Sequence, residues 1–517
     1  MMKTKIFLGY QTERKKFPKI IKVRFWQSLS YLDLKRVCSA VEMKFSLINP
    51  SPSPGTPDMV VTAWPPLGML YIAEVLLANG IEVSILDQAA RRFSTKQTLD
   101  WVKKENPDIV GFSVLNSSAK EAPHLAECVK KENPDATIVF GNYHATFNAE
   151  RMLKKYSSVD VIVRGEGEFT SLELAKCLEK NGNLEDVKGI TFKKNGKIVS
   201  TPDRPLIKDV DSLSFPNRNL VGAEYSSRIY GVKVASKKFT TIVSSRGCPF
   251  QCTFCGCRKF ARGLWRPRSV ENIIKELLML KSMGYEQFLF VDDNFTLNVK
   301  RVIEFCQRLK KEKLDIEWFC DSRVDNCKYD MFREMVKAGC RIVYFGIESG
   351  NQRILNYYKK GITPDESEKA VKKARKAGVD VVVGSFILGA PDETRQEIEN
   401  TLKFVNKLDI DVPQLNILGG FTGTDLWTDL VSKGYIDEEQ YWETGVYVPK
   451  VSPHAVPFEE IRKMIYEYFK AFYLRPEVLL TEILRTFKSS YRLSVLAENL
   501  LRINSIVDTV TQGIQPE

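Results

Sequence analysis

The chain has 517 residues, of which 44% are hydrophobic, and this is enough to bury more than one core. The 76 basic and 64 acidic residues give a net charge of +12 that is spread along the chain, so we interpret it as solvated helix faces and do not expect nucleic acid as a partner. No run of about 18 apolar residues occurs, so no transmembrane segment is predicted. Eleven irregularly spaced cysteines argue against a disulfide framework and for a cytoplasmic location.

The N-terminal part of the chain predicts one α/β domain. Residues 1–43 form a basic extension that lacks the apolar core of a signal peptide. From 44 to 182, short apolar runs near 45–49, 82–87, 109–115, 137–141 and 161–164 alternate with amphipathic helical patterns. This rhythm predicts a parallel sheet covered on both faces, which is a doubly wound, Rossmann-like domain.

The rest of the chain predicts a connector, a second α/β domain and a helical end. Residues 183–235 are a proline-containing connector with a hairpin that turns at Asn195-Gly196. Six strands separated by helices over 236–425 predict a partial (β/α)6 barrel, with its chemistry at the carboxyl ends of the strands. Residues 426–517 predict helices, and we expect the aromatic residues Phe469, Phe472 and Tyr473 to pack against the open side of the barrel.

The segment GCPFQCTFCGC places three cysteines, Cys248, Cys252 and Cys255, in a C-x3-C-x2-C spacing after the first barrel strand. Thiolates are the natural ligands of iron–sulfur clusters, and three ligands leave one iron of a [4Fe–4S] cluster open to chelate a small molecule. A zinc knuckle is the alternative, but zinc prefers four ligands, and the nearest further cysteine, Cys257, is not expected to be one. We therefore predict a [4Fe–4S] cluster.

With this motif, the sequence over about 240–425 resembles the radical S-adenosylmethionine (SAM) superfamily. The resemblance implies that the open iron binds the amino and carboxylate groups of SAM, whose cleavage yields a 5′-deoxyadenosyl radical. It implies the following SAM contacts: Phe254 beside the adenine, Asp292 and Asp293 in FLFVDDNF at the methionine ammonium, Arg323 in CDSRVD at the carboxylate, Glu348 in FGIESG near the ribose or amine, and Ile387 and Gly389 in GSFILGAPDE at the adenine. The alternatives are that Asp293 caps the next helix, that Gly389 only turns the chain, and that Arg323 pairs with Asp321.

The N-terminal domain resembles the cobalamin-binding domain fused to one large subgroup of these enzymes. A doubly wound sheet binds ligands at the carboxyl ends of its strands. The resemblance implies cobalamin contacts there from Ser113, Leu115, Ser117, Gly141 and Asn142. NPSPSPG replaces the Asp-x-His-x-x-Gly motif after the first strand, so cobalamin would bind without a lower histidine ligand. A scaffold that holds no corrin stays an alternative.

Two further residues or motifs of this domain carry a plain structural interpretation. His144 is interpreted as a hydrogen-bonded residue rather than a metal ligand. The turn Gly165-Glu166-Gly167-Glu168 is interpreted as a helix start, with its acidic residues at the positive end of the helix dipole.

Together these resemblances imply a cobalamin-dependent radical SAM enzyme, with C-methylation of an unactivated carbon as the first expectation. The substrate would be a small molecule or lipid-like, and an electron donor such as ferredoxin or flavodoxin would be required. The alternatives are ring formation, oxidation or carbon–carbon coupling on a lipid or tetrapyrrole, a transfer-RNA methylthiotransferase, and a non-catalytic cobalamin or iron–sulfur binding protein. No residue is assigned to general acid–base catalysis, because the cofactors supply the difficult chemistry.

Overall fold

The computed structural model describes residues 43–52, 64–229, 232–444 and 455–499. The predicted basic extension, except for Met43, and the predicted helical end beyond residue 499 lie outside these ranges. Among the described residues, no helix is both long enough and apolar enough to cross a membrane.

A seven-stranded sheet organises the N-terminal half, in the order β2-β1-β3-β4-β5-β6-β7. Its strands are β1 (Lys44–Asn49), β2 (Glu82–Asp87), β3 (Ile109–Ser113), β4 (Thr137–Gly141), β5 (Val161–Val163), β6 (Ile190–Lys194) and β7 (Lys197–Ser200). The first five are parallel, and β6 and β7 are antiparallel additions.

Helices cover both faces of this sheet, as continuous apolar runs in parallel strands require. They are α1 (Leu67–Leu77), α2 (Gln88–Arg91), α3 (Thr95–Glu105), α4 (Glu121–Glu132), α5 (Asn142–Phe147), α6 (Ala149–Lys155) and α7 (Glu168–Glu179). Successive residues of β1 point to opposite faces, so Leu47 packs with α1 and α7 while Ile48 packs with α3 and α4. The predicted doubly wound domain is confirmed.

The hairpin predicted inside the connector belongs to this sheet. It turns at Asn195 and Gly196, both at positive φ, and β6 pairs with β5. Ile190 and Phe192 of β6 are buried in the same apolar cluster as Val161. Burial of these side chains extends the sheet beyond residue 182, where the sequence pattern placed its end.

A second sheet of six parallel strands forms the C-terminal half, and its spatial order follows the chain, β10-β13-β14-β15-β16-β17. The remaining strands are β8 (Arg228–Ile229), β9 (Val232–Lys233), β10 (Phe239–Ile242), β11 (Ser245–Arg246), β12 (Arg266–Pro267), β13 (Gln287–Phe290), β14 (Glu317–Ser322), β15 (Cys340–Glu348), β16 (Val381–Leu388) and β17 (Val412–Ile417). Phe239 of β10 stacks on Phe319 of β14, two strands away, which requires the sheet to curl. This is the predicted partial (β/α)6 barrel.

The barrel strands alternate with helices, and further helices close the described chain. They are α8 (Cys257–Phe260), α9 (Val270–Ser282), α10 (Val299–Lys311), α11 (Tyr329–Lys337), α12 (Gln352–Tyr357), α13 (Pro364–Ala377), α14 (Arg395–Lys407), α15 (Asp425–Ser432), α16 (Glu438–Thr444), α17 (Phe458–Tyr473), α18 (Pro476–Lys488) and α19 (Ser490–Asn499). Helix α17 packs along β17, an edge strand, and buries Phe469 and Phe472 there, whereas Tyr473 is exposed. Tyr491 of α19 packs on Phe319 inside the barrel, in an apolar cluster with Phe239 and Leu289.

Candidate active site

A cavity of about 560 Å³ lies between the carboxyl ends of the N-terminal strands and the first loop of the barrel. From the N-terminal domain it is lined by Ser113, Leu115, Gly141, Asn142, Gly165 and Glu166, and from the barrel by Arg246, Gly247, Phe260, Val291 and Asp293. The cavity therefore joins the N-terminal strand ends to Asp293 and to the residues that flank the cysteine loop, whereas the three cysteines and the other predicted SAM contacts are not among its lining residues.

The cysteine loop leaves the barrel through a tightly fixed turn. The carboxylate of Asp292, at the end of β13, accepts hydrogen bonds from the Ser244 N–H at 2.6 Å and from the hydroxyls of Ser244 and Ser245 at 2.6 and 2.5 Å. Gly247 has φ +85°, and a Cβ there would lie 2.2 Å from the Leu264 carbonyl oxygen. Only glycine fits this position, so the direction of the loop at Cys248 is set by the residue before it.

Asp292 and Asp293 differ in what they face. Both oxygens of Asp292 accept hydrogen bonds from the loop and its side chain is buried, so Asp292 fastens the loop, and its expected contact with the ammonium group stays a prediction. Asp293 lines the cavity and accepts a hydrogen bond from the Gly247 N–H at 3.1 Å. The alternative that Asp293 caps the next helix is wrong, because Asn298 caps α10.

The three cysteine thiols lie close enough to affect one another. The pKa of Cys255, an exposed residue, is raised to about 11, first by desolvation of its sulfur among the surrounding loop atoms and then by Asp293, Cys252 and Cys248. Arg323 places its Nη1 at 3.6 Å from the Cys252 sulfur. A thiol with a raised pKa ionises at neutral pH only when a cation accepts its electron pair, as cluster iron does.

Arg323 is the centre of a group of residues beside the cysteine loop. Its guanidinium lies 3.6 Å from the ring centroid of Phe250, donates to Asp325 at 2.8 Å and donates to the Lys360 carbonyl at 2.6 Å. Its partner is therefore Asp325, and the alternative pairing with Asp321 is wrong.

Glu348 and Phe254 both lie beside Lys360. Lys360 Nζ lies 2.6 Å from Glu348 Oε1, with both side chains buried, and 5.9 Å from the ring centroid of Phe254. Glu348 has φ +69°, a backbone conformation that a glutamate rarely adopts and that costs about 1 kcal/mol or more. Strain held in place by a buried ion pair is typical of ligand sites.

The two residues of the fifth barrel strand lie at its carboxyl end, as expected. Ile387 is half-buried and packs against the same apolar cluster as Phe254. Gly389 has φ +85°, and its N–H donates to Glu393 Oε2 at 2.6 Å, so it does turn the chain around a buried carboxylate. The pKa of Glu393 is raised to about 7, mainly by burial.

The predicted cobalamin contacts fall into two sets. Ser113, Leu115, Gly141 and Asn142 line the cavity, whereas Ser117 lies in a 3₁₀ turn outside its lining. Asn142 has φ +77°, a conformation that asparagine tolerates, and its side chain donates to Ser113 Oγ at 2.9 Å.

Two family models match this chain. They are the radical SAM superfamily over residues 242–405 and the B12 binding domain over residues 59–175. The chain is 37% identical to an uncharacterized methyltransferase of Pyrococcus horikoshii, over 85% of this chain and 95% of that protein. It belongs to the cobalamin-dependent radical SAM enzymes.

Two other similar proteins broaden the comparison. The anaerobic magnesium-protoporphyrin IX monomethyl ester cyclase of Rubrivivax gelatinosus is 29% identical over 84% of this chain and 78% of its own length. The structure of the radical SAM methyltransferase TsrM from Kitasatospora setae, with cobalamin and a [4Fe–4S] cluster bound, has a TM-score of 0.62 and 16% identity. This match covers 76% of our chain and 75% of TsrM, and it shows a shared fold.

The residues of this radical SAM enzyme fit the cofactors of its family, which are a [4Fe–4S] cluster, SAM and cobalamin. Three thiols in one loop, one of them facing an arginine, suit a cluster with an open iron. For cobalamin, the strand ends offer open space, since a Cβ built on Gly165 meets no atom within 4 Å, and they offer exposed apolar surface at Leu115.

No histidine lines the described part of the cavity. His144 is buried, and its Nδ1 lies 2.8 Å from Asn116 Oδ1. Burial lowers the pKa of His144 to about 4, so the ring is neutral. Its interpretation as a hydrogen-bonded residue is confirmed.

A buried ion-pair network, which no motif of the sequence predicts, joins the two cofactor domains of this enzyme. Arg246 of β11 binds Glu166 Oε1 at 3.0 Å and Glu168 Oε1 at 2.7 Å, and Arg266 of β12 binds Glu166 Oε2 at 2.9 Å. Glu168 does begin α7, as predicted, but both acidic side chains reach across to the strands that flank the cysteine loop. We call these four residues the interdomain clamp.

Lys360, Phe250 and Asp325 were also missed by the sequence analysis. Lys360 follows α12 and carries no motif signal, because its role depends on a partner 12 positions earlier in the chain. Phe250 lies inside the cysteine motif, and its aromatic character was the one available signal.

Proposed function

We propose that this chain is a cobalamin-dependent radical SAM methyltransferase that acts on an unactivated carbon of a small organic substrate. The observation that carries the proposal is the cavity between the cobalamin-domain strand ends and the residues that flank the cysteine loop, which are Gly247, Phe260 and Ala261. When bound, the cluster and SAM supply a carbon-centred radical, and cobalamin supplies the methyl group. An electron donor such as ferredoxin or flavodoxin is required for each cleavage of SAM.

The residues around the cysteine loop orient SAM in this proposal. Arg323 is already held by Asp325 and the Lys360 carbonyl, and it directs Nη1 toward the loop, where it would meet the methionine carboxylate. Lys360, which is paired with Glu348, lies 5.9 Å from the ring centroid of Phe254, on which the adenine would lie. Asp293 lines the cavity on the barrel side, where it would meet the methionine ammonium, and Ile387 and Gly389 would complete the adenine side.

On the other side of the cavity, this chain would hold cobalamin through backbone and small side chains. Gly141 and Asn142 follow β4 and Ser113 ends β3, so they lie side by side at the carboxyl ends of neighbouring strands. Leu115 offers an apolar contact at the cavity edge. Ser117 has no place in this contact set, because it lies outside the lining.

A second candidate function is oxidative ring formation on a tetrapyrrole. It is favoured by the 29% identity with the magnesium-protoporphyrin cyclase, which extends over both halves of this chain. The transfer-RNA methylthiotransferase is disfavoured, since Cys128 and Cys177 lie on α4 and α7, which cover opposite faces of the sheet, and the described C-terminal residues are helical.

The deciding experiment is anaerobic reconstitution with iron, sulfide and hydroxocobalamin, followed by reaction with SAM carrying a deuterated methyl group. Formation of 5′-deoxyadenosine tests the radical step, and transfer of the label to an extract-derived acceptor tests methylation. An unlabelled product that has lost hydrogen would replace methyl transfer with the cyclase alternative. An intact cluster that forms no 5′-deoxyadenosine would contradict both.

A further inference from the structure

Helix α18 (Pro476–Lys488) carries its apolar side chains on the face turned away from the barrel. None of its residues is buried. Leu480, Ile483 and Phe487 recur at helical spacing and are 59%, 53% and 73% exposed. Leu479 and Leu484 widen the same stripe. This arrangement is the reverse of an ordinary surface helix, whose apolar stripe faces the core.

The opposite, polar face of α18 is fastened to the rest of the chain by ion pairs. Arg485 Nη2 binds Asp409 Oδ1 at 2.6 Å, and Glu482 Oε2 binds Arg492 Nη1 at 2.7 Å. Arg492 is itself buried and bonded to Asp411 and to the Asp380 carbonyl. Turning the helix to bury its leucines would break these bonds, so the exposed stripe is a fixed property of the described fold.

Further exposed apolar residues lie at the end of α17 and on α19, two helices that contact α18, and together with the stripe we call them the α18 surface. Its members are Tyr473, Leu474, Leu479, Leu480, Ile483, Leu484, Phe487, Leu493 and Leu496. With roughly half of each side chain exposed, they present on the order of 900 Å², which is above the usual largest patch of a monomer and close to the ~800 Å² that one partner contributes to a standard interface. The other exposed large apolar residues of the described chain are scattered.

The charges at the ends of α18 indicate which partner covers the α18 surface. Glu477 and Lys488 lie on the same edge of the stripe, six residues before and five residues after Ile483, and neither forms an ion pair among the described residues. A two-fold axis at Ile483 runs two copies of the helix antiparallel and places Glu477 of each beside Lys488 of the other. An edge with one charge of each sign offers no net attraction to an anionic lipid surface.

We propose that the α18 surface is a two-fold interface between two copies of this chain, with their α18 helices packed antiparallel. The interface is isologous, so every residue of it is used twice. It lies on the C-terminal helices, away from the residues that line the cavity.

The first test is sedimentation equilibrium of the full-length, cluster-containing protein under anaerobic conditions. We expect a dimer at micromolar concentration, and a dissociation constant raised at least about 100-fold by Leu480→Glu or Ile483→Glu, since each change acts twice. Leu278→Glu, on the exposed side of α9, is the matched control and should leave the dimer intact. Unchanged circular dichroism and iron content show that a monomeric variant is folded.

Charge reversal tests the antiparallel arrangement. Glu477→Lys and Lys488→Glu should each weaken the dimer about 10-fold, and the double variant should restore it. A double variant that stays as weak as the single variants overturns the arrangement. A wild-type monomer overturns the proposal: if it co-sediments with phosphatidylcholine and phosphatidylglycerol vesicles, the surface binds lipid, and if it does not, another part of the chain covers it.

Discussion

Replacing Glu166 with glutamine should weaken the contact between the two cofactor domains while keeping the shape of the side chain. Glu166 binds Arg246 at 3.0 Å through one oxygen and Arg266 at 2.9 Å through the other, and its side chain is only 9% exposed. The variant therefore leaves two nearly buried guanidinium groups facing an amide.

The size of the destabilisation depends on which hydrogen-bond partners each arginine retains in the variant. Removing one partner of a buried ion pair costs about 3–5 kcal/mol. Arg246 keeps Glu168 at 2.7 Å and Arg266 keeps the Ile207 carbonyl at 2.7 Å, so part of the charge stays compensated. We expect a loss of about 2–3 kcal/mol in the free energy of unfolding of the clamp region.

Urea unfolding followed by tryptophan fluorescence measures this loss, and hydrogen exchange locates it at β11 and the start of α7. Glu173→Gln is the matched control, because Glu173 lies on α7, which begins two residues after Glu166, and pairs with Arg204 at an exposed position, where the cost should stay below about 0.5 kcal/mol. Equal stability of the two variants would refute the clamp.

The same pairing predicts a pH dependence. Burial raises the pKa of Glu166, but Arg266 and Arg246 outweigh burial and lower it below its ordinary value. A lowered pKa means that the stabilisation is complete above the unfolded-state pKa and is lost as the pH falls through the folded-state pKa. The stability difference between wild type and Glu166→Gln should therefore disappear in acid, and a difference that grows there would contradict the pairing.

Three further predictions concern other parts of the site. His144 has a folded-state pKa of about 4, below its unfolded value, so its contribution to the free energy of unfolding is complete above pH ~6.5 and falls by about 3 kcal/mol as the pH drops to 4. His144→Gln should remove this pH-dependent part of the free energy of unfolding, as measured by urea unfolding over that pH range. In Gly247→Ala the added Cβ should collide with the Leu264 carbonyl, displace the cysteine loop and lower the iron content several-fold. Gly263→Ala, where a Cβ has space, should retain iron despite its positive φ. Cys252→Ala should abolish formation of 5′-deoxyadenosine, and Cys257→Ala should retain the cluster absorbance; loss of the cluster in Cys257→Ala would make it a ligand.

The sequence by itself determined the fold class and the region of the cysteine cluster. Alternating apolar runs and amphipathic helices require parallel strands buried on both faces, and this local pattern is enough to predict both sheets. The spacing of Cys248, Cys252 and Cys255 indicates cluster chemistry, because three thiols in one short loop need no distant partner to be recognised.

Only the tertiary structure decided how the two domains form one site. The pairing of Glu166 with Arg246 joins residues 80 positions apart, and that of Lys360 with Glu348 depends on a strained backbone at Glu348. The tertiary structure also gives two sequence neighbours different surroundings: the oxygens of Asp292 hold the loop, whereas Asp293 faces the cavity. Residue identity fixes what a side chain can bind, but the partner it binds depends on the packing of distant segments, and no local pattern records that.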